Sequence, residues 1–429
     1  MPALPFRPSL SQIKKQAKTL RKECQSGQSE AQERVRDHHP DYAGASLDDI
    51  RTVDLSLRDA QLVVAREYGT DNWAALKKKV EDEAGKTNRE EIAARRIKEQ
   101  TSSHEEIERV VQAACGSSVR RQERNTRGFS CEVRWITTVD GRELMYRANW
   151  YNPADDPHFE NEKWALQRCA EAGIPAPRFL YSEHGLPGHP YRSVCLTTRV
   201  QGSSLKQLLD EGTLAEADLP LLLIEAGALL GKIHQIPTWG FGPLDVQGRG
   251  TAPDWHSAHL DNIDLERLRW AADNTGLPWA LVDEGLELLQ DRAHLGDGVQ
   301  PHLLHGEFDL EHIIVDNGRV SGLVDFEYCS GGDPADEAGW SGEPAEEGWW
   351  EAFTGEKSPS WSTAPLLEGY RQTGKPDGRF LERGRWLKFS RCLGGLSYHG
   401  VHDINTAGMM DFLNWRYRQD LDQARRYLG

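Results

Sequence analysis

No stretch of this 429-residue chain approaches the ~20 consecutive apolar residues that a membrane-spanning helix requires. The opening M-P-A-L-P-F-R-P-S-L lacks the basic and then apolar pattern of a secretory signal. Cysteine is sparse: seven residues stand singly, with no C-x-x-C pair and no His/Cys cluster. That pattern argues against a structural zinc site and for a reduced compartment, so a cytoplasmic location is expected. The thiols are then expected as small buried apolar groups. Positive charge is in deficit, 51 Lys and Arg against 67 Asp and Glu, for a net charge of −16. A nucleic-acid backbone is therefore not expected as a partner, whereas a cationic ligand would be drawn in. What is present is apolar sequence enough, 38%, to bury one or more cores. The length suits two or three domains.

Residues 1 to about 82 read as a small all-α domain. Ser9 and Gln12 have capping-box spacing ahead of a helix running from about Leu10 to Cys24. Asp59 is placed to cap a short helix that ends near Gly69, and Asp71 another through Trp73, Leu76 and Val80. The segment D-A-Q-L-V-V-A-R-E-Y-G-T-D-N-W-A-A-L-K resembles a bacterial helical module found ahead of ankyrin repeats or other domains. No ankyrin repeat follows. The resemblance implies no chemistry for this part and leaves a protein partner open. Residues 83–102 are charged, poor in apolar groups, and suit a linker or an exposed helix.

From Ser103, with Glu106 at capping-box spacing, the pattern changes. F-S-C-E-V-R-W-I-T-T-V and R-E-L-M-Y-R-A-N-W, joined at Asp140-Gly141, predict a β-hairpin. A helix follows, with Phe159, Leu166 and Cys169 on one face and Gly173 and Pro175 as its stop. S-V-C-L-T-T-R-V predicts a strand leading to Gly202. Beyond it the chain reads as helical to its end, except for a strand-like interruption at 302–326.

That interruption carries the chemistry. I-I-V and V-S-G-L-V-D-F flank the turn Asp316-Asn317-Gly318, with polar residues at the strand ends. The hairpin gathers His305, Glu307, His312 and Asp325 on one side. One carboxylate before the hairpin and one after it suit phosphoryl transfer: the first accepts a hydroxyl proton, and the second holds magnesium on the phosphates.

The run H-G-E-F-D-L-E-H, then L-V-D, then Gly332-Asp333-Pro334 and Glu337, resembles the aminoglycoside phosphotransferases and related small-molecule kinases. Those proteins carry H-G-D-x-x-x-x-N, a strand ending in I-D, and G-D-P with a further acid. The resemblance extends over roughly residues 104 to 429. It implies an α+β, bilobal protein-kinase-like fold, with a β-rich N-lobe at 103–200 and a helical C-lobe at 201–429. It also implies a phosphotransferase using ATP or GTP with Mg²⁺ (or Mn²⁺) on a small-molecule hydroxyl, an antibiotic first among the acceptors.

Residue by residue, the resemblance makes Glu307 the catalytic carboxylate, with Asp309 beside it facing phosphate or substrate. Asp325 becomes the metal ligand, and His312 a second ligand. Gly128 and Ser130 fall in the phosphate-covering loop, Arg147 at the nucleotide cation, and Glu162 at its helix partner, with Glu160 a nearby competitor. Backbone groups of Thr198 and Val200 fall at the adenine-binding hinge. His305 and Asp333 brace the catalytic loop. Two positions depart from the family: Glu307 is one methylene longer than its aspartate, and His312 replaces its asparagine, an oxygen donor better suited to magnesium. On the acceptor side, E-P-A-E-E-G-W-W-E-A-F offers Glu343, Glu346, Glu347 and Glu351 to amines, and Trp349 or Trp350 to a ring or cation. The sequence leaves two alternatives open. One is a metabolite kinase acting on choline, an amino alcohol or a sugar. The other is a nucleotide-binding pseudokinase whose N-terminal helices bind a partner.

Overall fold

The computed structural model describes residues 10–53, 55–85, 101–125, 131–149, 159–186, 189–215, 217–261, 263–338, 364–402 and 409–428. Gly128, Ser130, Glu343, Glu346, Glu347, Trp349, Trp350 and Glu351 lie outside the described residues, as does the Ser9 cap. Two compact units are present. One draws on Met1–Ala94, Arg269–Leu277 and Leu396–Asn414, and the other on Arg95–Leu268, Pro278–Gly395 and Trp415–Gly429.

In the first unit the helices are α1 (Leu10–Gln25), α2 (Ser29–His38), α3 (Leu47–Arg51), α4 (Leu57–Glu67) and α5 (Trp73–Gly85). Ala17, Leu20 and Cys24 recur at helical spacing along α1 and pack with Val35, Ile50, Val63, Leu76 and Val80. The caps differ by a few residues from expectation. Ser56, not Asp59, begins α4, and Asp59 is the third helical residue of a reciprocal capping box. At α5 the side-chain Oδ1 of Asn72, not Asp71, accepts from the Ala75 N–H at 2.9 Å.

The second unit includes Ser102. Expected in a linker, it is instead buried, its Oγ 2.6 Å from Glu132 and 2.9 Å from the Tyr146 hydroxyl. Then come α6 (His104–Cys115), β1 (Val119–Asn125), β2 (Glu132–Thr138), β3 (Glu143–Asn149), α7 (Glu160–Glu171), β4 (Phe179–Leu186) and β5 (His189–Thr198). Ser103 caps α6 as expected, but Glu106 does not close the box. Its carboxylate goes to Tyr146 and Arg192 instead. The strands form an antiparallel sheet in the order β1-β2-β3-β5-β4. Alternation decides what each face does. Leu144, Tyr146 and Ala148 of β3, with Val194 and Leu196 of β5, pack on Ile107, Val110 and Val111 of α6. Arg147, opposite Val133 and Cys195, is thereby turned to the other face.

The chain continues through β6 (Ser203–Ser204), α8 (Leu205–Asp210), α9 (Leu219–Ile233), β7 (Phe241–Leu244), β8 (Gly250–Ala252), α10 (Trp255–His259), α11 (Leu265–Thr275) and α12 (Trp279–Asp291). After these come β9 (His302–Leu304), β10 (Ile313–Asp316), β11 (Arg319–Leu323), β12 (Ser330–Gly332), α13 (Ala335–Ala338), α14 (Ala364–Thr373), α15 (Phe380–His402) and α16 (Met409–Leu428). This region is not only helical. It contains a sheet ordered β11-β10-β6 and another ordered β8-β7-β12-β9. Among the described residues no helix is long and apolar enough to cross a membrane.

Candidate active site

β9 and β12 lie side by side, Leu304 opposite Ser330 and His302 opposite Gly332. Residues 305–329 therefore leave and return at one place. Within that excursion β10 and β11 form the expected hairpin, turning at Asn317 and Gly318, both with positive φ (49° and 74°). Both ends of the hairpin's chemistry are thus delivered to one spot.

Glu307, His312 and Asp325 meet there, with ligand atoms all within 4.8 Å of one another. The His312 Nδ1 lies 2.7 Å from the Glu307 carbonyl, which can only accept, so Nδ1 carries the proton. In the neutral ring Nε2 is then a lone pair, 3.4 Å from Asp325 Oδ2. A backbone carbonyl fixing the far nitrogen is the arrangement that holds a metal-ligating imidazole in its working tautomer. Burial pulls the His312 pKa down, but Asp309, the Glu307 carbonyl and Asp325 outweigh it, and the net direction is upward. The Glu307 carboxyl is raised, first by partial burial and then by Asp325 and Asp309, against His312. Asp325 has φ 68°, a left-handed conformation in which Asp is among the better-tolerated non-glycine residues. Such conformations cluster at functional sites.

Asp325 Oδ1 lies 3.6 Å from Arg147 on the opposite sheet. Arg147 and Glu162 form a buried ion pair, 4% and 2% exposed. The competitor Glu160 is engaged elsewhere, by Ser182 and Lys163. Phe159 places its ring 5.3 Å from the guanidinium carbon. Cys131 and Cys195 also neighbour Arg147, and burial pushes the Cys195 thiol up to about 12. All seven cysteines are free.

Asp309 accepts from the backbone N–H of Glu311 (2.7 Å) and of His312 (3.2 Å), so one of its oxygens shapes the loop. His305 is fully buried and its Nε2 donates to the Val324 carbonyl at 2.9 Å. Burial lowers its pKa to about 4. Asp333 takes Arg383 (2.7 Å) and the Trp255 indole (3.3 Å). At the hinge the Thr198 N–H is used by the Arg178 carbonyl at 2.9 Å. Val200 follows two residues beyond the end of β5.

Two contributors had no role in the sequence reading. Glu337 accepts from the consecutive amides of His305 (2.9 Å) and Gly306 (2.6 Å), and bonds His234 Nε2 at 2.9 Å. His234 in turn has the Tyr370 hydroxyl at 3.0 Å. The chain just before Glu307 is thus hung from a buried carboxylate, which these partners hold ionised below its ordinary range despite burial. Gly306, at φ 95°, is required here, since a methyl group on it would fall 2.1 Å from the Tyr328 carbonyl. Tyr328 itself is 58% exposed, and its hydroxyl pKa is raised, first by partial burial and then by the charges of Glu327, Glu307 and Asp325. The only sequence signal for these residues was the acid four positions after Asp333 and an aromatic three after Asp325.

Residues 121–374, more than half of the chain, match the phosphotransferase enzyme family. The chain belongs to that family. Hygromycin-B 4-O-kinase of Escherichia coli is 27% identical over 239 residues, covering 54% of this chain and 66% of that relative, just under two thirds of its length. The aminoglycoside phosphotransferase APH(4)-Ia superposes with a TM-score of 0.53 at 21% identity, over 75% of this chain and 98% of that one. Its thermostable mutant has been solved in a ternary complex with ADP and hygromycin B (TM-score 0.52, 22% identity, 75% and 98% covered). An amicoumacin kinase in complex with AMP-PNP and Ca²⁺ aligns over 77% of this chain and 96% of its own, at TM-score 0.50 and 14% identity. The fold of this family member is kinase-like and α+β, preceded by the N-terminal helices.

Proposed function

We propose that this phosphotransferase moves the γ-phosphoryl group of ATP or GTP to a hydroxyl of an aminoglycoside or another cationic antibiotic, in the cytoplasm where the nucleotide is found. One observation carries the reading: the Arg147–Glu162 pair and the Glu307–His312 pair converge on Asp325, at 3.6 Å and 3.4 Å from its two oxygens. Arg147 forks onto the α- and β-phosphates, with Glu162 holding its orientation. Gly128 and Ser130 cover the phosphates, and the Thr198 carbonyl and Val200 N–H meet the base edge. Asp325 and His312 would hold Mg²⁺. The mixed oxygen and nitrogen donor set admits Mn²⁺ as well. The cation supplies neutralisation of phosphate charge. Glu307 orients the acceptor hydroxyl and takes its proton, a role its raised pKa favours. Tyr328 offers a stacking face to the acceptor, with Glu347 and Trp350 as further acceptor contacts. The net charge of −16 favours a cationic acceptor. Residues 1–82 serve as a separate helical module.

The relative named for hygromycin B makes that compound the first acceptor to try. The test is release of ADP from ATP and of GDP from GTP, in Mg²⁺ and in Mn²⁺, across hygromycin B, other aminoglycosides, amino alcohols and sugars. Asp325→Asn is the control. Turnover on an aminoglycoside that vanishes in the control supports the proposal. Turnover confined to an amino alcohol or sugar replaces the antibiotic by a metabolite, and nucleotide binding without any turnover favours a pseudokinase.

A further inference from the structure

The sheet β8-β7-β12-β9 reaches both halves of the site. β9 runs into His305, and β12 follows Asp325 by five residues. β12 pairs with β7, Gly331 opposite Gly242. The turn between β7 and β8 is tightly tied. Asp245 N donates to the Arg249 carbonyl (2.9 Å), and Gly248 N donates to the Asp245 carbonyl (3.0 Å). Asp245 Oδ1 accepts from the amides of Gln247 (2.8 Å) and Arg249 (2.9 Å).

This turn sets Gly248 flat against Trp164 of α7. A methyl group on Gly248 would fall 2.2 Å from the Trp164 ring, and the residue has φ 77°. Trp239, whose N–H donates to the Gly248 carbonyl at 3.2 Å, completes the contact with its ring 6.5 Å from that of Trp164. Trp164 is 9% exposed, while Trp239 is 67% exposed. Trp164 lies two residues after Glu162, roughly 200° around the helix axis. α7 is therefore gripped on opposite sides, by Arg147 through Glu162 and by the β7–β8 turn through Trp164.

We propose that the β7–β8 turn with Trp239 clamps α7, and that Trp164 is a positioning residue acting through Glu162 on Arg147. The proposal rests on the phosphotransferase reading of Arg147. Without the clamp α7 swings outward and Glu162 leaves Arg147. The guanidinium then turns to Asp325, already 3.6 Å away, and occupies the space of the phosphates. The clamp ties that helix to the same sheet that frames the catalytic segment, so both halves of the site are set by one element.

The experiment is a double-mutant cycle read by Mg-nucleotide titration and steady-state kinetics, using Trp164→Ala, Glu162→Gln and their combination, with Trp164→Phe as the conservative variant. Trp164→Ala is expected to weaken nucleotide binding about tenfold with the acceptor KM unchanged, and to add less than about twofold on top of Glu162→Gln, as residues acting in one chain do. Trp164→Phe restores most of the loss. Trp239→Ala, at an exposed position that does not threaten folding, shifts nucleotide binding in the same direction. In both variants amide exchange speeds up in Glu160–Glu171 while the β-sheets stay protected, a readout that needs no nucleotide. Effects of Trp164→Ala and Glu162→Gln that multiply independently overturn the clamp, as does wild-type nucleotide binding in Trp164→Ala and Trp239→Ala. Failure of the wild type to bind Mg-nucleotide overturns the phosphotransferase reading itself, and the clamp's role with it.

Discussion

The backbone before Glu307 hangs from one carboxylate, so Glu337→Gln should be far more damaging than its nearly equal size suggests. Glu337 lies nine-tenths or more within the protein and accepts two amides and His234, at 2.9, 2.6 and 2.9 Å. Glutamine keeps one acceptor oxygen. Its NH₂ then faces the N–H of either His305 or Gly306, donor against donor. One charge-assisted hydrogen bond is lost and one buried amide is left unpaired, about 2–3 kcal/mol together. His234 can adapt by accepting on Nε2. The loop relaxes away from the unpaired amide, and a shift of ~1 Å at Glu307 is worth about 100-fold in rate. The assay is phosphoryl transfer with saturating nucleotide, alongside nucleotide titration and urea unfolding. The expected result is kcat reduced about 100-fold, nucleotide affinity within a few-fold of wild type, and a stability loss of about 2–3 kcal/mol. A folded Glu337→Gln protein with wild-type kcat would refute the reasoning.

Three further outcomes follow from the same geometry. His312→Asn supplies an oxygen donor in place of imidazole, so the ratio of activity in Mn²⁺ to that in Mg²⁺ should fall about threefold or more, and an unchanged ratio removes His312 from the metal. Tyr328→Ala should raise the acceptor KM about tenfold and leave the nucleotide KM alone, because an exposed ring contributes stacking and not fold. Burial holds His259 neutral, with its pKa near 4 against 6.5 when unfolded. The unfolded chain binds the proton first, so stability present above pH 6.5 is lost as pH falls toward 4. Between pH 7 and 5 the loss from this residue is about 2 kcal/mol, and His259→Gln should shallow the acid decline by that amount in urea titrations at the two pH values.

The parts legible in the sequence were those carried by local pattern. Asp140-Gly141 and Asn317-Gly318 announced their hairpins because their turns demand positive φ, and alternation along β3 separated Arg147 from the packed face. His305, Glu307, His312 and Asp325 lie within 21 residues and flank one hairpin, so their meeting followed from strand geometry. What escaped was set by distant partners. β12 is Ser-Gly-Gly and β8 Gly-Thr-Ala, three residues each, and neither has strand character except through its neighbours. Glu337 bonds chain 31 and 32 residues earlier, and His234 lies 103 residues from it. The capping errors were local but ambiguous. In S-L-R-D the serine and the aspartate both bond across the box, and only geometry tells which comes first.

The most direct test of the central claim is release of ADP from Mg-ATP, or of GDP from Mg-GTP, with hygromycin B and related aminoglycosides, comparing wild type with Asp325→Asn. Turnover is expected in the wild type, with a loss of at least about 100-fold in the variant, since the residue on which both halves of the site converge is removed. Turnover that survives Asp325→Asn would contradict it.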